Sequence, residues 1–164
     1  MVVRILSLFF AACCCILPRL GFADDAAKEL VGTWKLLSSA VSVDGGEKVD
    51  FFGKNPKGRL LLTADGYWSI IITLPDRSPA KTSSDKAALL DSMIAYSGRY
   101  TIDGDKITTR VDVSWNEVFS GALQNQTRFF NVEGDKLTIR TGLIESAVRP
   151  GQRTDSVLTW ERER

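Results

Sequence analysis

The sequence predicts an all-β protein, an eight-stranded antiparallel closed barrel with one mid-chain α-helix, preceded by a cleaved signal peptide. Short runs of alternating apolar and polar residues recur at close spacing after residue 30, and Gly-containing hairpin turns separate several of them. The first residues differ in composition from all that follows. With 164 residues, 44% hydrophobic and 25% charged, the chain fits one globular domain with a real core.

The first segment has the parts of a secretory signal peptide. The basic start "MVVR" precedes the apolar run "ILSLFFAACCCIL", and the small residues of "GFADD" follow. We therefore predict cleavage after Ala23, a signal peptide over 1–23, a mature domain over 24–164 and a periplasmic or secreted protein. The run is too short for a permanent membrane span, so no stable membrane insertion is expected after cleavage. Lipidation at Cys13 stays an alternative, because "FFAAC" loosely resembles a lipobox, although Phe10 stands where Leu is usual.

Composition excludes several classes of function. All three cysteines, Cys13 to Cys15, lie in the apolar run and the chain has no His. The mature domain therefore has no disulfide, no thiolate or imidazole metal ligand, and no Ser-His-Asp or Cys-His nucleophile. Removing Arg4 and Arg19 from the 21 basic residues leaves 19 against 20 acidic ones. This balance gives no reason to bind nucleic acid, and we expect no metal and no cofactor.

The strands follow from alternation and turn chemistry. The segments "LLLTADGYWSIIITL", "YTIDGDKITTR" and "FNVEGDKLTIR" each predict a β-hairpin, because an Asp-Gly or Glu-Gly turn supplies a residue that tolerates positive φ. In the second hairpin, alternation predicts Ile107, Thr109, Val111 and Val113 on one face. Strands are predicted near residues 32 to 42, 58 to 63, 67 to 74, 97 to 102, 106 to 115, 126 to 132, 136 to 142 and 156 to 162.

Two longer connections interrupt the strands. In "TSSDKAALLDSMIAY", Ser84 can cap a helix, and apolar residues recur at helical spacing: Ala88, Leu89, Met93 and Tyr96. The segment "DGGEKVDFFGKNPKG" has loop composition, and Phe51 and Phe52 are expected to pack back against the domain. This loop either forms a lid over one barrel end or merely crosses between the first two strands.

The two ends of the domain carry a family resemblance. "LVGTWKL" places Gly32 and Trp34 in the first strand, and "LTWERE" places Trp160 and Arg162 in the last. Together with "FFGKNPKGRLLLTADGYWSI", "IAYSGRYTID" and "TRFFNVEGDKLTIRT", these motifs resemble the bacterial lipocalin-like domain family over residues 30 to 163. The resemblance implies a small antiparallel barrel with an interior cavity. We expect these four residues to close the barrel, with the first and last strands paired.

The candidate ligand-binding residues are aromatic and cationic side chains. A small barrel needs bulky side chains to fill it, so each aromatic can serve packing as well as ligand contact. An inward Arg must find an anion or a carbonyl oxygen. The carboxylates in the hairpin turns are explained by turn chemistry, so no catalytic residue is assigned. The candidate set is Trp68, Tyr96, Arg99, Tyr100, Trp115, Phe119, Arg128 and Phe130.

We therefore predict an exported protein that binds a small hydrophobic molecule inside the barrel, acidic if Arg128 points inward. The expected inward lining is almost wholly apolar and consists of Leu36, Leu62, Ile70, Ile72, Val111, Phe130 and Ile139. A cofactor-free isomerase or cyclase, in which Tyr96, Tyr100, Asp112 or Arg128 polarises the substrate, is one alternative. A filled barrel with an envelope structural or interaction role is another. The sequence leaves the ligand and the oligomeric state open.

Overall fold

The structure, a computed structural model, describes residues 27–146 and 151–164 and shows a closed antiparallel barrel. Eight strands run around it in the order β1, β3, β4, β5, β6, β7, β8 and β10, and β10 pairs with β1 to close the sheet. The predicted fold class is thus confirmed. The strands are β1 Gly32–Val43, β2 Val49–Asp50, β3 Lys57–Leu62, β4 Tyr67–Thr73, β5 Met93–Asp103, β6 Lys106–Ser114, β7 Asn125–Glu133, β8 Lys136–Arg140, β9 Ile144–Glu145 and β10 Arg153–Glu163.

The signal peptide over 1–23, with its cleavage site at Ala23 and the alternative lipidation site at Cys13, lies outside the described residues. The short strands β2 and β9, which were not predicted, pair with the end of β1 and the start of β10. Within the part of the chain that the structure describes, no helix has the length and apolar character needed to cross a membrane.

The connections divide the barrel into two ends. The hairpin end holds the start of β1, the end of β10 and three tight turns, residues 63–66, 104–105 and 134–135. As predicted, the turn glycines have positive φ, with values of 85° at Gly66, 57° at Gly104 and 61° at Gly134. The loop end holds the four longer connections, residues 44–56, 74–92, 115–124 and 141–152.

The core lies inside the strands. Inward positions alternate with exposed ones, and the expected lining residues Leu36, Leu62, Ile70, Ile72, Val111 and Ile139 are buried, with Phe130 partly buried against them. The connection 44–56 contributes Phe52, which is 4% exposed and belongs to this core. Its neighbour Phe51 is 44% exposed, so only one of the two aromatic side chains packs back as expected.

The helix differs from its prediction. It spans Ser83–Asp91, and its N-cap is Thr82 rather than Ser84, because the Thr82 side chain and Asp85 form a reciprocal capping box. Met93 and Tyr96, expected on the helix, lie in β5. Backbone pairing of this segment with β4 outweighs its helical spacing. The helix buries none of its residues, so it presents no apolar face to the core.

One face of β6 also differs from its prediction. Ile107, Thr109 and Val111 point inward and are buried, but Val113 is 66% exposed. The register with β5 shifts between Ser97 and Gly98, so that Ser97 faces Val113 while Gly98 faces Val111. This bulge places one extra residue, Asp112, on β6, so that the residues after it point to the opposite face of the sheet.

Candidate functional site

The hairpin end is sealed by aromatic and cationic side chains from β1 and β10. Trp34 is fully buried, and its indole Nε1 donates a 2.9 Å hydrogen bond to the Leu30 carbonyl oxygen. Arg162 lies over the Trp34 ring and donates to the Val31 carbonyl oxygen at 2.8 Å and to that of Glu29. The φ of Gly32 is 146°, which other residues rarely adopt, and a Cβ there would lie 2.7 Å from the Arg162 Nη1, so a larger residue would displace this guanidinium. Trp160 is fully buried in the same strand as Arg162.

An aromatic cluster made of Trp68, Tyr96, Trp115 and Phe119 extends from Trp68, near the start of β4, to the connection 115–124 at the loop end. Tyr96 on β5 meets the Trp68 ring edge-on at 5.2 Å and stacks on Phe119 at 5.4 Å, and Trp115 and Phe119 are 4.7 Å apart. The connection 115–124 supplies two of the four rings, and the Trp115 amide holds it to the Ala95 carbonyl oxygen of β5 at 2.8 Å. The structure thus brings four of the predicted site residues together. They link β4 and β5 to the connection 115–124.

Arg128 faces the barrel interior from β7. It lies directly opposite Ile107, which is 2% exposed, and paired residues of an antiparallel ladder share one face of the sheet. Phe130 and Val132, which alternate with it along the strand, pack against the core, whereas Thr127 and Asn131 are exposed. The guanidinium therefore enters an interior lined mainly by apolar side chains.

The contacts of Arg128 leave part of its guanidinium without a partner. Its Nη2 donates to the Gln126 side-chain oxygen. Its Nη1 is buried and has no hydrogen-bond partner among the described residues. Gln126 in turn donates from Nε2 to the Leu123 carbonyl oxygen at 2.9 Å, which links this pair to the connection 115–124. Trp68 Nε1 and Trp160 Nε1 are likewise buried donors without a partner in the described part of the chain.

Two other predicted site residues are occupied elsewhere. Arg99 lies on the outer face, not in the interior, because β5 alternates and places buried Gly98 and Tyr100 inward instead. Its guanidinium covers the Tyr67 ring at 3.7 Å and donates to the Tyr67 hydroxyl at 2.6 Å. The Tyr100 hydroxyl donates to the Thr63 carbonyl oxygen at 2.8 Å. Burial, and to a smaller extent the Asp65 charge, raises the pKa of Tyr100, so this phenol stays neutral and acts as a donor.

Two clefts open on the outer surface of the barrel. A cleft of about 380 Å³ runs over β3 to β6, floored by Ser69 and Ser97 and edged by Leu61 and Val113. A second, of about 370 Å³, lies beside Phe129 on β7. Each cleft borders one predicted site residue, Trp68 in the first and Phe130 in the second, but both clefts open on the outer surface rather than into the barrel interior. Among the described residues, no group of His, Cys, Asp and Glu side chains is arranged to hold a metal ion.

Gln126 is the site residue that the sequence interpretation missed. Nothing in the pattern of β7 distinguishes an inward Gln from an ordinary polar strand residue. The available signal was its spacing, because a residue two positions from an inward Arg shares its face.

The family match agrees with the architecture. The family described as "Lipocalin-like domain" matches residues 31–163. One solved structure to which the chain is similar is that of an uncharacterized protein from Bacteroides eggerthii DSM 20697. It is 14% identical, and the alignment covers 81% of this chain and 98% of that chain at a TM-score of 0.42. None of the curated proteins matches the chain.

Proposed function

The chain belongs to the lipocalin-like domain family, and on that premise we propose that its barrel binds a small, largely apolar molecule carrying a carboxylate or carbonyl oxygen. The observation that supports this proposal most strongly is the buried Nη1 of Arg128, which has no hydrogen-bond partner within residues 27–146 and 151–164. A buried donor left unpaired costs about 1–3 kcal/mol, and more when the group is charged. An oxygen atom of a bound molecule would remove that cost.

The rest of the interior favours an apolar body for the guest. Apart from Gln126, which already contacts Arg128, the inward residues named on this side of the barrel are apolar: Ile107, Phe130, Val132 and Ile139. A fatty-acid-like or polyketide-like acid combines an apolar chain with one anionic oxygen pair, which a guanidinium binds in a bidentate manner.

Entry of the guest requires a rearrangement at the loop end. The cluster of Trp68, Tyr96, Trp115 and Phe119 is closely packed, and two of its rings come from the connection 115–124 rather than from the sheet. Connections move more readily than the strands they join. The same packing supports a second candidate, a filled barrel with an envelope structural or interaction role.

Titration with a matched pair of probes tests the proposal. Dodecanoic acid should give a saturable change in tryptophan fluorescence, since Trp68 and Trp115 both lie in the cluster, whereas dodecanol should bind more weakly. Arg128→Met keeps much of the side-chain volume and removes the charge. We expect it to weaken binding of the acid by about 1.5–3 kcal/mol and to leave the alcohol nearly unchanged.

Arg110→Met is the matched control, because Arg110 is exposed on the outer face of the neighbouring strand β6. This variant should bind the acid as the wild-type protein does. The absence of any saturable response to the acid, or an equal loss for acid and alcohol in Arg128→Met, would shift support to the filled barrel.

We further propose that the protein is exported to the periplasm or beyond, with cleavage after Ala23. Support comes from the basic start, the apolar run and the small residues of the first segment. N-terminal sequencing of the protein from its host should find Asp24 first. If sequencing instead found a lipid-modified Cys13 as the first residue, cleavage after Ala23 would be wrong and the protein would be a lipoprotein.

A further inference from the structure

We infer that Gln126 is the residue that sets the charge preference of the interior site, because it holds Arg128 in place without neutralising it. This inference rests on the proposed function, since it concerns the same guanidinium. It assigns the site to anionic guests specifically, rather than to any molecule with a carbonyl oxygen.

The side-chain amide of Gln126 is fixed at both ends. Its Oε1 accepts from Arg128 Nη2, and its Nε2 donates to the Leu123 carbonyl oxygen at 2.9 Å. Turning the amide over would place its NH₂ group against the guanidinium and its oxygen against a carbonyl oxygen, so both hydrogen bonds would be lost. The Leu123 carbonyl therefore determines that Arg128 meets an oxygen here.

The backbone beneath this side chain is also held. Gln126 lies opposite Thr109, which is 1% exposed, and the Thr109 hydroxyl donates to the Gln126 carbonyl oxygen at 3.2 Å. Side chains two residues apart on a strand lie on one face, so Gln126 is positioned to reach Arg128 without bending β7. The pair is thus held by β6, by β7 and by the connection 115–124.

The partner that Gln126 supplies is neutral. Throughout residues 27–146 and 151–164, no carboxylate lies within ion-pair distance of Arg128. A Glu at position 126 would have almost the same shape and would accept from Nη2 equally well, but it would lose the hydrogen bond to the Leu123 carbonyl oxygen and would cancel the guanidinium charge. The amide therefore secures the geometry of Arg128 while its full positive charge and its free Nη1 stay available to a guest.

Two substitutions separate charge from geometry. Gln126→Glu should weaken dodecanoic acid binding about tenfold or more and leave dodecanol nearly unchanged, because the new carboxylate competes for the guanidinium and repels the acid. Gln126→Met keeps the Arg128 charge but frees the guanidinium to move, so it should weaken the acid less than Gln126→Glu does. Tryptophan fluorescence gives the affinities, and circular dichroism shows that each variant keeps its strand content.

The outcomes distinguish this inference from the proposed function. If the acid binds wild-type protein and is lost in Arg128→Met, but binds Gln126→Glu as tightly as wild type, the role of Gln126 is overturned and the proposed function stands. Equal losses in Gln126→Glu and Gln126→Met would also overturn it, since charge would then make no difference. If wild-type protein binds no acid, both fail together.

Discussion

The guanidinium carbon of Arg162 lies 4.0 Å from the centre of the Trp34 ring, and the two residues are direct register partners across the β1–β10 seam. This pair stands where the first and last strands of the domain close the barrel. The cation–π contact, together with the hydrogen bonds from Arg162 to the backbone before β1, joins the two strands at the hairpin end.

Replacing Trp34 with Ala should destabilise the barrel strongly. The side chain is fully buried, it covers the hairpin end, and the substitution leaves a cavity that the surrounding strands cannot fill. We expect a loss of about 3–5 kcal/mol in the free energy of unfolding, measured by urea denaturation. Tyr67→Ala, an aromatic truncation on the outer face where the side chain is 44% exposed, should cost clearly less, about 1–2 kcal/mol, because only its contacts with Arg99 are lost. A comparable loss of stability in both variants would contradict the burial of Trp34 at the β1–β10 pairing.

Replacing Gly98 with Ala should disrupt the bulge between β5 and β6. A Cβ at this position would lie 1.9 Å from the Arg110 carbonyl oxygen and 2.9 Å from the Asp112 amide nitrogen, both rigid backbone atoms. We expect a loss of about 3 kcal/mol or more in the free energy of unfolding. Gly104→Ala is the control, because nothing lies within 4 Å of its would-be Cβ and only its φ of 57° is unfavourable. If Gly98→Ala loses no more free energy of unfolding than Gly104→Ala, the register shift between β5 and β6 does not lie at Gly98.

The Arg59–Glu163 pair should make stability depend on pH on the acid side. Arg59 donates to both carboxylate oxygens of Glu163, at 2.5 and 2.6 Å, and these hydrogen bonds hold the pKa of Glu163 below its usual value of 4.5. Because the folded-state pKa is the lower one, the contribution of this pair is present above about pH 4.5 and is lost as the pH falls through the folded value.

Thermal melts between about pH 3 and pH 7 measure this effect. Glu163→Gln should lower the melting temperature at neutral pH, and the difference from wild type should shrink on acidification. Glu161→Gln serves as control, since Glu161 is exposed on the same strand and its side-chain carboxylate accepts no hydrogen bond within the described residues. A Glu163→Gln difference that stays constant across the range would exclude a role for the carboxylate charge.

Turn chemistry and alternation were sufficient to predict the barrel. Gly66, Gly104 and Gly134 mark turns whose geometry only a few residues tolerate, and the strands between them follow a two-residue period. The prediction was wrong where pairing between strands determines the conformation more strongly than local sequence spacing does. The segment from Met93 to Tyr96 has helical spacing, yet β4 pairs with it, and the bulge at Gly98 turns Val113 outward.

The candidate site was only partly predictable. The sequence named Arg128 and Arg99 as candidates and left open whether either points inward; Arg128 does, whereas Arg99 lies outside the barrel over Tyr67. Spacing along β7 puts Gln126 on the face of Arg128, but its role depends on the Leu123 carbonyl oxygen and could not be predicted. That atom belongs to the connection 115–124, whose path no periodic pattern encodes.

The carboxyl group of a bound acid gives the most direct test of the interior site. Dodecanoic acid labelled with ¹³C at its carboxyl carbon can be followed by NMR as the pH is varied, with wild-type protein and with Arg128→Met. If Arg128 Nη1 meets the carboxylate, a bound signal distinct from the free acid should appear, and its pKa should be lower in wild-type protein than in the variant, because the guanidinium favours the charged form. A bound signal with the same pKa in both proteins, or the signal of the free acid alone, would contradict the account.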